Sequence, residues 1–223
     1  MRAFYRALRG VPFQVNIVPY CEFFHIGSSR ELLSGFSGLS RTAQEYRFAN
    51  GSGAVIGGRR SETGESAGRA FVFNSLIDCP LRAGRALIEG VHRQASDIPL
   101  ALDGDNILTG LPPEAEVPVR LAKGIGLVCL PIGKRDWAAV AYGIDDDFKT
   151  AFGGERPCLF LNRPVEDWMA RNGVSERQLW RGDRQDGLWR ARLWRAGGIG
   201  DVLAEAVIVG RGDGWTEGAG ERR

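Results

Sequence analysis

Between about residue 50 and residue 130 the apolar residues come in short pieces, each stopped by a small or polar turn residue. The pieces are Val55-Ile56-Gly57, Phe73-Asn74-Ser75-Leu76-Ile77, Ile88-Glu89-Gly90-Val91, Ile107-Leu108-Thr109-Gly110-Leu111 and Gly126-Leu127-Val128. Aligned on Gly57, Ser75, Gly90 and Gly110, they recur at steps of 18, 15 and 20 residues. Pieces this short bury their side chains only by stacking on a neighbour, and an irregular period of this size suits the coils of a parallel β-helix. Antiparallel hairpins place short strands at the same spacing, so both architectures stay open on pattern alone. The repeated aliphatic-Gly-x triplets of left-handed hexapeptide helices are absent, which disfavours a hexapeptide-type acyltransferase. His92 is isolated on a rung, with nothing beside it to make it an acyltransferase-type catalytic base. Asn74 is expected in an internal asparagine ladder.

The regions on either side follow other patterns. Residues 1–36 read as a helix (Arg2 to Leu8), two strands (Val15 to Val18 and Glu22 to Ile26) and a second helix (Ser29 to Phe36). Ser28 or Ser29 is placed to cap that second helix, with Glu31 in its first turn. N–H groups at such a strand-to-helix junction point at whatever anion sits there. Beyond residue 131, Trp137 to Ile144 alternates as a strand that ends at Asp145-Asp146-Asp147. Pro164 to Asn172 reads as a helix, with Glu166-Asp167 near its start and Gly173 past its end. Trp168, Trp180, Trp189 and Trp194 gather in this part of the chain.

Composition narrows the function classes. With 223 residues, 43% hydrophobic and 25% charged, the chain has enough apolar material for one large core or two small ones. A net charge of +2 does not provide the broad basic face of a nucleic-acid binder. No apolar run reaches the ~18 residues of a membrane span, and Met1 to Gly10 has no signal-peptide core, so neither nucleic acid nor membrane is an expected partner. The four cysteines (Cys21, Cys79, Cys129, Cys158) form no C-x-x-C pair and read as buried free thiols of a cytoplasmic protein.

Three segments carry a resemblance. They are Phe23-Phe24-His25-Ile26-Gly27-Ser28-Ser29-Arg30-Glu31-Leu32-Leu33; Leu130-Pro131-Ile132-Gly133-Lys134-Arg135-Asp136-Trp137, with Tyr142-Gly143 just beyond; and Leu188-Trp189-Arg190-Ala191-Arg192-Leu193. In that order, over roughly residues 10 to 195, the chain resembles the L-fucokinase/fucose-1-phosphate guanylyltransferase family, the GDP-fucose pyrophosphorylases. The resemblance implies a β-helix after a catalytic domain. The implied reaction is GMP transfer from GTP to L-fucose 1-phosphate, giving GDP-fucose and pyrophosphate, with Mg²⁺ as cofactor, its ligands mostly outside this chain.

The expected fold is therefore a parallel β-helix of short irregular coils (46–130). The tail of a nucleotidyltransferase-like α/β domain (1–45) precedes it. A small α+β segment (131–200) and a flexible C-terminal tail (201–223) follow. The Gly-rich loop with a basic residue that would hold a triphosphate is missing from the start, and the stretch from Gly51 to Arg60 reads as turns between strands. The chain is expected to be a fragment that lacks the nucleotide-binding half, inactive alone and without fucokinase activity, with an upstream nucleotidyltransferase half as partner. The alternative is a non-catalytic β-helix module that binds a sugar phosphate or mediates oligomerisation.

Two groups of residues are expected to touch the sugar phosphate. Sugar-nucleotide pyrophosphorylases more widely carry an Asp-x-Gly-Thr segment where this chain has His25-Ile26-Gly27-Ser28. His25 binds Mg²⁺ poorly, but it can donate to a phosphate or sugar hydroxyl beside Gly27 and Ser28. In the second group Lys134 supplies a point charge, Arg135 a fork and Trp137 an aromatic face for a sugar. Asp145-Asp146-Asp147 reads as an exposed acidic loop whose carboxylates diverge. No residue is assigned a catalytic role.

Overall fold

The computed structural model describes residues 6, 9–12, 14–15, 17, 26–37, 53–56, 59–60, 70–94, 96–180 and 187–211, with strands 53–56 and 59–60 described by backbone alone. Arg6 is helical, but the rest of the expected helix Arg2 to Leu8, His25, Cys21, most of the strand Glu22 to Ile26 and residues 212–223 lie outside the described residues. Val15 and Ile17, expected in a strand, lie outside any strand and are 74% and 88% exposed. β-Branched residues favour a strand where a neighbouring strand buries them.

Helix α1 (Ser29–Ser37) is followed by β1 (Gly53–Ile56), β2 (Arg59–Arg60), β3 (Ala70–Phe73), β4 (Leu76–Ile77) and β5 (Leu81–Ala83). Next come β6 (Ala86–Glu89), β7 (His92–Arg93), β8 (Leu100–Leu102), β9 (Asn106–Thr109), β10 (Val119–Leu121) and β11 (Ile125–Pro131). The chain winds through three sheets: β1-β3-β6-β9-β11, β2-β4-β7 and β5-β8-β10. Every pairing among these strands is parallel. This is a parallel β-helix, and the hairpin alternative is excluded.

Register explains its stability. Val72, Ile88, Leu108 and Leu127 are partners from coil to coil, and all four are fully buried. On another face Leu81, Leu100 and Val119 stack likewise. Each such side chain contributes roughly 1.5–3 kcal/mol by leaving water.

The alignment on Ser75 needs correcting by one residue. The ladder pairs Phe73 with Glu89 and Thr109, which puts Asn74, Gly90 and Gly110 at equivalent corners. All three have left-handed backbone, with φ of +45°, +60° and +71°. What recurs is the backbone conformation that turns the corner, which asparagine and glycine both adopt, rather than small size. Ser75 lies one position further on, fully buried, where its hydroxyl donates to Phe73 O (2.6 Å) and accepts from Val91 N–H (3.0 Å). Asn74 is exposed and forms no internal ladder. The interior asparagine is Asn106, whose amide accepts from Gly104 N–H and donates to Ala122 O and Ile125 O.

Arg93 takes an interior position next to Ile77 and is 4% exposed. The following coil has a loop where the β4–β7 sheet would continue, and Arg93 donates to the loop carbonyls of Ala115 and Val117. The guanidinium stands in for the missing rung by pairing carbonyls that burial would otherwise orphan.

Past the coils, β12 (Trp137–Gly143) folds back antiparallel on β11. β13 (Leu159–Phe160), β14 (Arg163–Pro164), α2 (Val165–Asn172), α3 (Glu176–Trp180), a single 3₁₀ turn (Leu188–Arg190), β15 (Ala196–Gly197) and α4 (Ile199–Gly210) complete the described chain. Helix α2 begins and ends as its sequence implies, after Pro164 and with Gly173 left-handed, whose N–H bonds Met169 O. The expected tail from residue 201 is partly helix instead. In α4, Val202, Leu203, Ala206 and Val207 are buried, at the spacing of one helix face, in the same cluster as Ala139 and Ala141 of β12. The Gly-rich, charged residues that follow masked this short apolar face. That cluster runs unbroken from Ala70 to Val209, so the coils and the later elements share one core.

A second, smaller cluster fixes α1. Leu33 packs on the outward-facing Leu87 and Ile107 and on Ile144, laying the helix across the outer face of the long sheet.

Candidate functional site

Helix α1 begins in a capping box. The Ser28 hydroxyl accepts from Glu31 N–H (3.1 Å), and the Glu31 carboxylate reaches back to Gly27 N–H (2.6 Å). Two further contacts hold this end. Arg30 makes a two-pronged ion pair with Asp145. The Tyr142 hydroxyl lies against the Ser29 side chain. A Cβ on Gly126 would lie 2.3 Å from the Tyr142 ring, so the ring needs a glycine beneath it.

The first turn of α1 faces the loop after β12 across an open groove of about 710 Å³. Gly27, Ser28 and Arg30 line one side, and Asp145, Lys149 and Trp189 the other. Trp189 is 71% exposed and rests on Phe148, ring centres 5.3 Å apart. The groove thus offers a helix N-terminus, a lysine and an aromatic face.

Three adjacent aspartates do three different things. Asp145 is held by Arg30, which keeps its carboxyl below the usual range. Asp147 accepts from Lys149 N–H (3.0 Å) and the Thr150 hydroxyl (2.9 Å), which also lowers it. Asp146 turns inward and accepts from the N–H groups of Gly143 (2.6 Å), Leu161 (2.9 Å) and Asn162 (2.9 Å). Burial pushes its carboxyl up to about 6, against the pull of those three donors. The sequence reading of an exposed acidic loop holds for Asp145 and Asp147 and is corrected at Asp146.

The expected site residues separate. Gly27 and Ser28 line the groove, and His25 lies outside the described residues. Lys134 and Arg135 sit exposed at the tip of the β11–β12 hairpin. Trp137 is half-buried against the core, its strand pairing with Gly197 of β15. The hairpin tip and the groove stand at opposite ends of β12, about 20 Å apart at the usual rise per strand residue. Lys149 and Trp189 were not singled out for the site from sequence. A signal existed for Trp189, which sits in the third family-like segment with no partner in a strand or helix pattern.

Every carboxylate of the acidic loop is engaged, and the described residues contain no cluster of three or more metal-ligating side chains. They do not fit the Mg²⁺ that the resemblance implies. No helix among the described residues is long and apolar enough to cross a membrane.

The model of the fucose pyrophosphorylase domain family matches residues 1–196. An L-fucokinase/L-fucose-1-P guanylyltransferase of Bacteroides fragilis is 27% identical over 160 residues, which is 71% of this chain and 15% of that protein. No solved structure matches. With the family model covering nearly nine-tenths of its length, the chain belongs to the fucose pyrophosphorylase domain family.

Proposed function

We propose that the groove binds the sugar phosphate of a fucose pyrophosphorylase reaction, in which GMP passes from GTP to L-fucose 1-phosphate and pyrophosphate leaves. In this reading the chain works as part of a longer protein whose Gly-rich nucleotide-binding half lies upstream and brings GTP and Mg²⁺. The chain spans about 15% of the relative it matches, which accords with a part rather than a whole.

One observation carries the reading. Parts of two family-like segments meet at one place, Gly27 and Ser28 from the first and Trp189 from the third, with Tyr142, just beyond the second, against Ser29. Lys149 meets the phosphate as a point charge beside the N-terminus of α1, whose dipole favours an anion. The exposed face of Trp189 stacks on the apolar side of the pyranose, and the ion pair between Arg30 and Asp145 lies within reach of its hydroxyls. Cys79, Cys129 and Cys158 are free and buried, which suits a reducing, cytoplasmic setting.

The test is calorimetric titration of the folded chain with fucose 1-phosphate and, separately, with GTP and Mg²⁺. Saturable heat with the sugar phosphate, weakened in Lys149→Ala, is expected. No heat with fucose 1-phosphate overturns the assignment of the groove.

A further inference from the structure

The turn between β13 and β14 is held from outside. It has two residues, Leu161 and Asn162, both left-handed with φ of +55° and +61°. Turns of this shape usually take asparagine and glycine; a buried leucine at the first position is strained and persists only where its surroundings hold it. The Asp146 carboxylate does the holding, accepting both turn N–H groups and that of Gly143 at the end of β12. Asn162 returns the link, accepting from Asp145 N–H (2.8 Å) and donating to Gly124 O (2.7 Å). The parts lie so close that a Cβ on Gly143 would sit 2.3 Å from the Asn162 backbone nitrogen.

We propose that Asp146 is the positioning residue of the groove: its ionised carboxylate locks the β13–β14 turn onto the end of β12 and so sets the rim, Asp145 to Lys149, that meets the ligand. This rests on the groove being the sugar-phosphate site. An ionised carboxylate only accepts, and it satisfies three donors at once; a protonated one turns a donor toward them. The ionisable groups around it are Asp145 on the same loop, itself paired with Arg30 of α1, Tyr142 of β12 and Cys158 just before β13. Asp145 is lowered, Tyr142 is raised and Cys158 is pushed up to about 11, so none of them changes charge between pH 5 and 7. Asp146, at about 6, does.

Amide hydrogen exchange on the full chain tests this with or without ligand. At pH 7.5, Asp146→Asn is expected to speed exchange at Gly143, Leu161 and Asn162 by about tenfold or more while the buried rungs at Val72 and Leu108 keep their protection. Equal protection of those amides in variant and wild type overturns the proposal. The ligand arm compares fucose 1-phosphate affinity at matched pH, which cancels the phosphate's own titration. Asp146→Asn should weaken binding about tenfold at pH 7.5. If the wild-type protein does not bind, the reading of the groove fails and exchange still decides the role of Asp146. If it binds and the variant binds equally at pH 7.5, the positioning role fails.

Discussion

In the coils a residue is defined by what lies directly above and below it, as Val72, Ile88, Leu108 and Leu127 show, each stacked on a like aliphatic neighbour. Along the groove rim a residue is defined by polar partners well removed in sequence: Asp146 by Leu161 and Asn162, and Asn162 by Gly124. The coils are fixed by dispersion and water exclusion, which are non-directional and accept any side chain of the right volume. The rim is fixed by direction and charge, and an isosteric change that alters one donor is felt. Stability and function are thus carried by different chemistry in different places.

The largest expected effect breaks the coil side of that contrast. Leu108→Ala removes a fully buried side chain from the centre of a stack and should lower unfolding free energy by about 4 kcal/mol, whereas Leu108→Ile should cost less than about 1.5 kcal/mol. Urea melts measure both. Neither change should alter fucose 1-phosphate affinity of the protein that remains folded.

The next effect sharpens the rim side. Asp146 has a carboxyl raised to about 6 in the folded chain from an ordinary 3.8, so the folded state binds the proton more tightly than the unfolded one. Its stabilising contribution is present below about pH 4 and is lost as pH rises through 6, a loss of about 3 kcal/mol for a shift of this size. Asp105, Asp145 and Asp147 are lowered, so their contributions disappear only at more acid pH and leave this window to Asp146. Thermal melts from pH 4 to 7 should show stability falling, and Asp146→Asn should flatten the fall. A site that costs stability in the state that serves binding is a recurrent compromise.

The contrast also explains what could be read from the chain. A repeated corner with stacked aliphatics leaves a periodic trace, so the β-helix was legible; only its register slipped, because Ser75 looks like a turn residue and Asn74 is one. The cap at Ser28 and Glu31 and helix α2 were legible because their signals lie within four residues. Asp146 was not, since three consecutive aspartates are indistinguishable until Gly143, Leu161 and Asn162 are brought to one of them. Trp137 and Trp189 are likewise the same residue in similar company. Which of them is free to meet a sugar depends on Trp137 packing against the core beside β15, a long-range outcome with no local trace. Arg93 reads as a surface charge until the following coil omits a strand.

The smallest effects separate two places for the ligand. Trp189→Ala, at an exposed position, should leave the melting temperature unchanged and weaken fucose 1-phosphate about tenfold, the loss of one good stacking contact. Lys134→Ala, about 20 Å away by the length of β12, should change neither. Side-by-side calorimetric titration of these two variants with fucose 1-phosphate is the most direct measurement. Weaker binding in Trp189→Ala with wild-type binding in Lys134→Ala is the expected result. Wild-type binding in Trp189→Ala with loss in Lys134→Ala would place the ligand at the hairpin tip and contradict the groove.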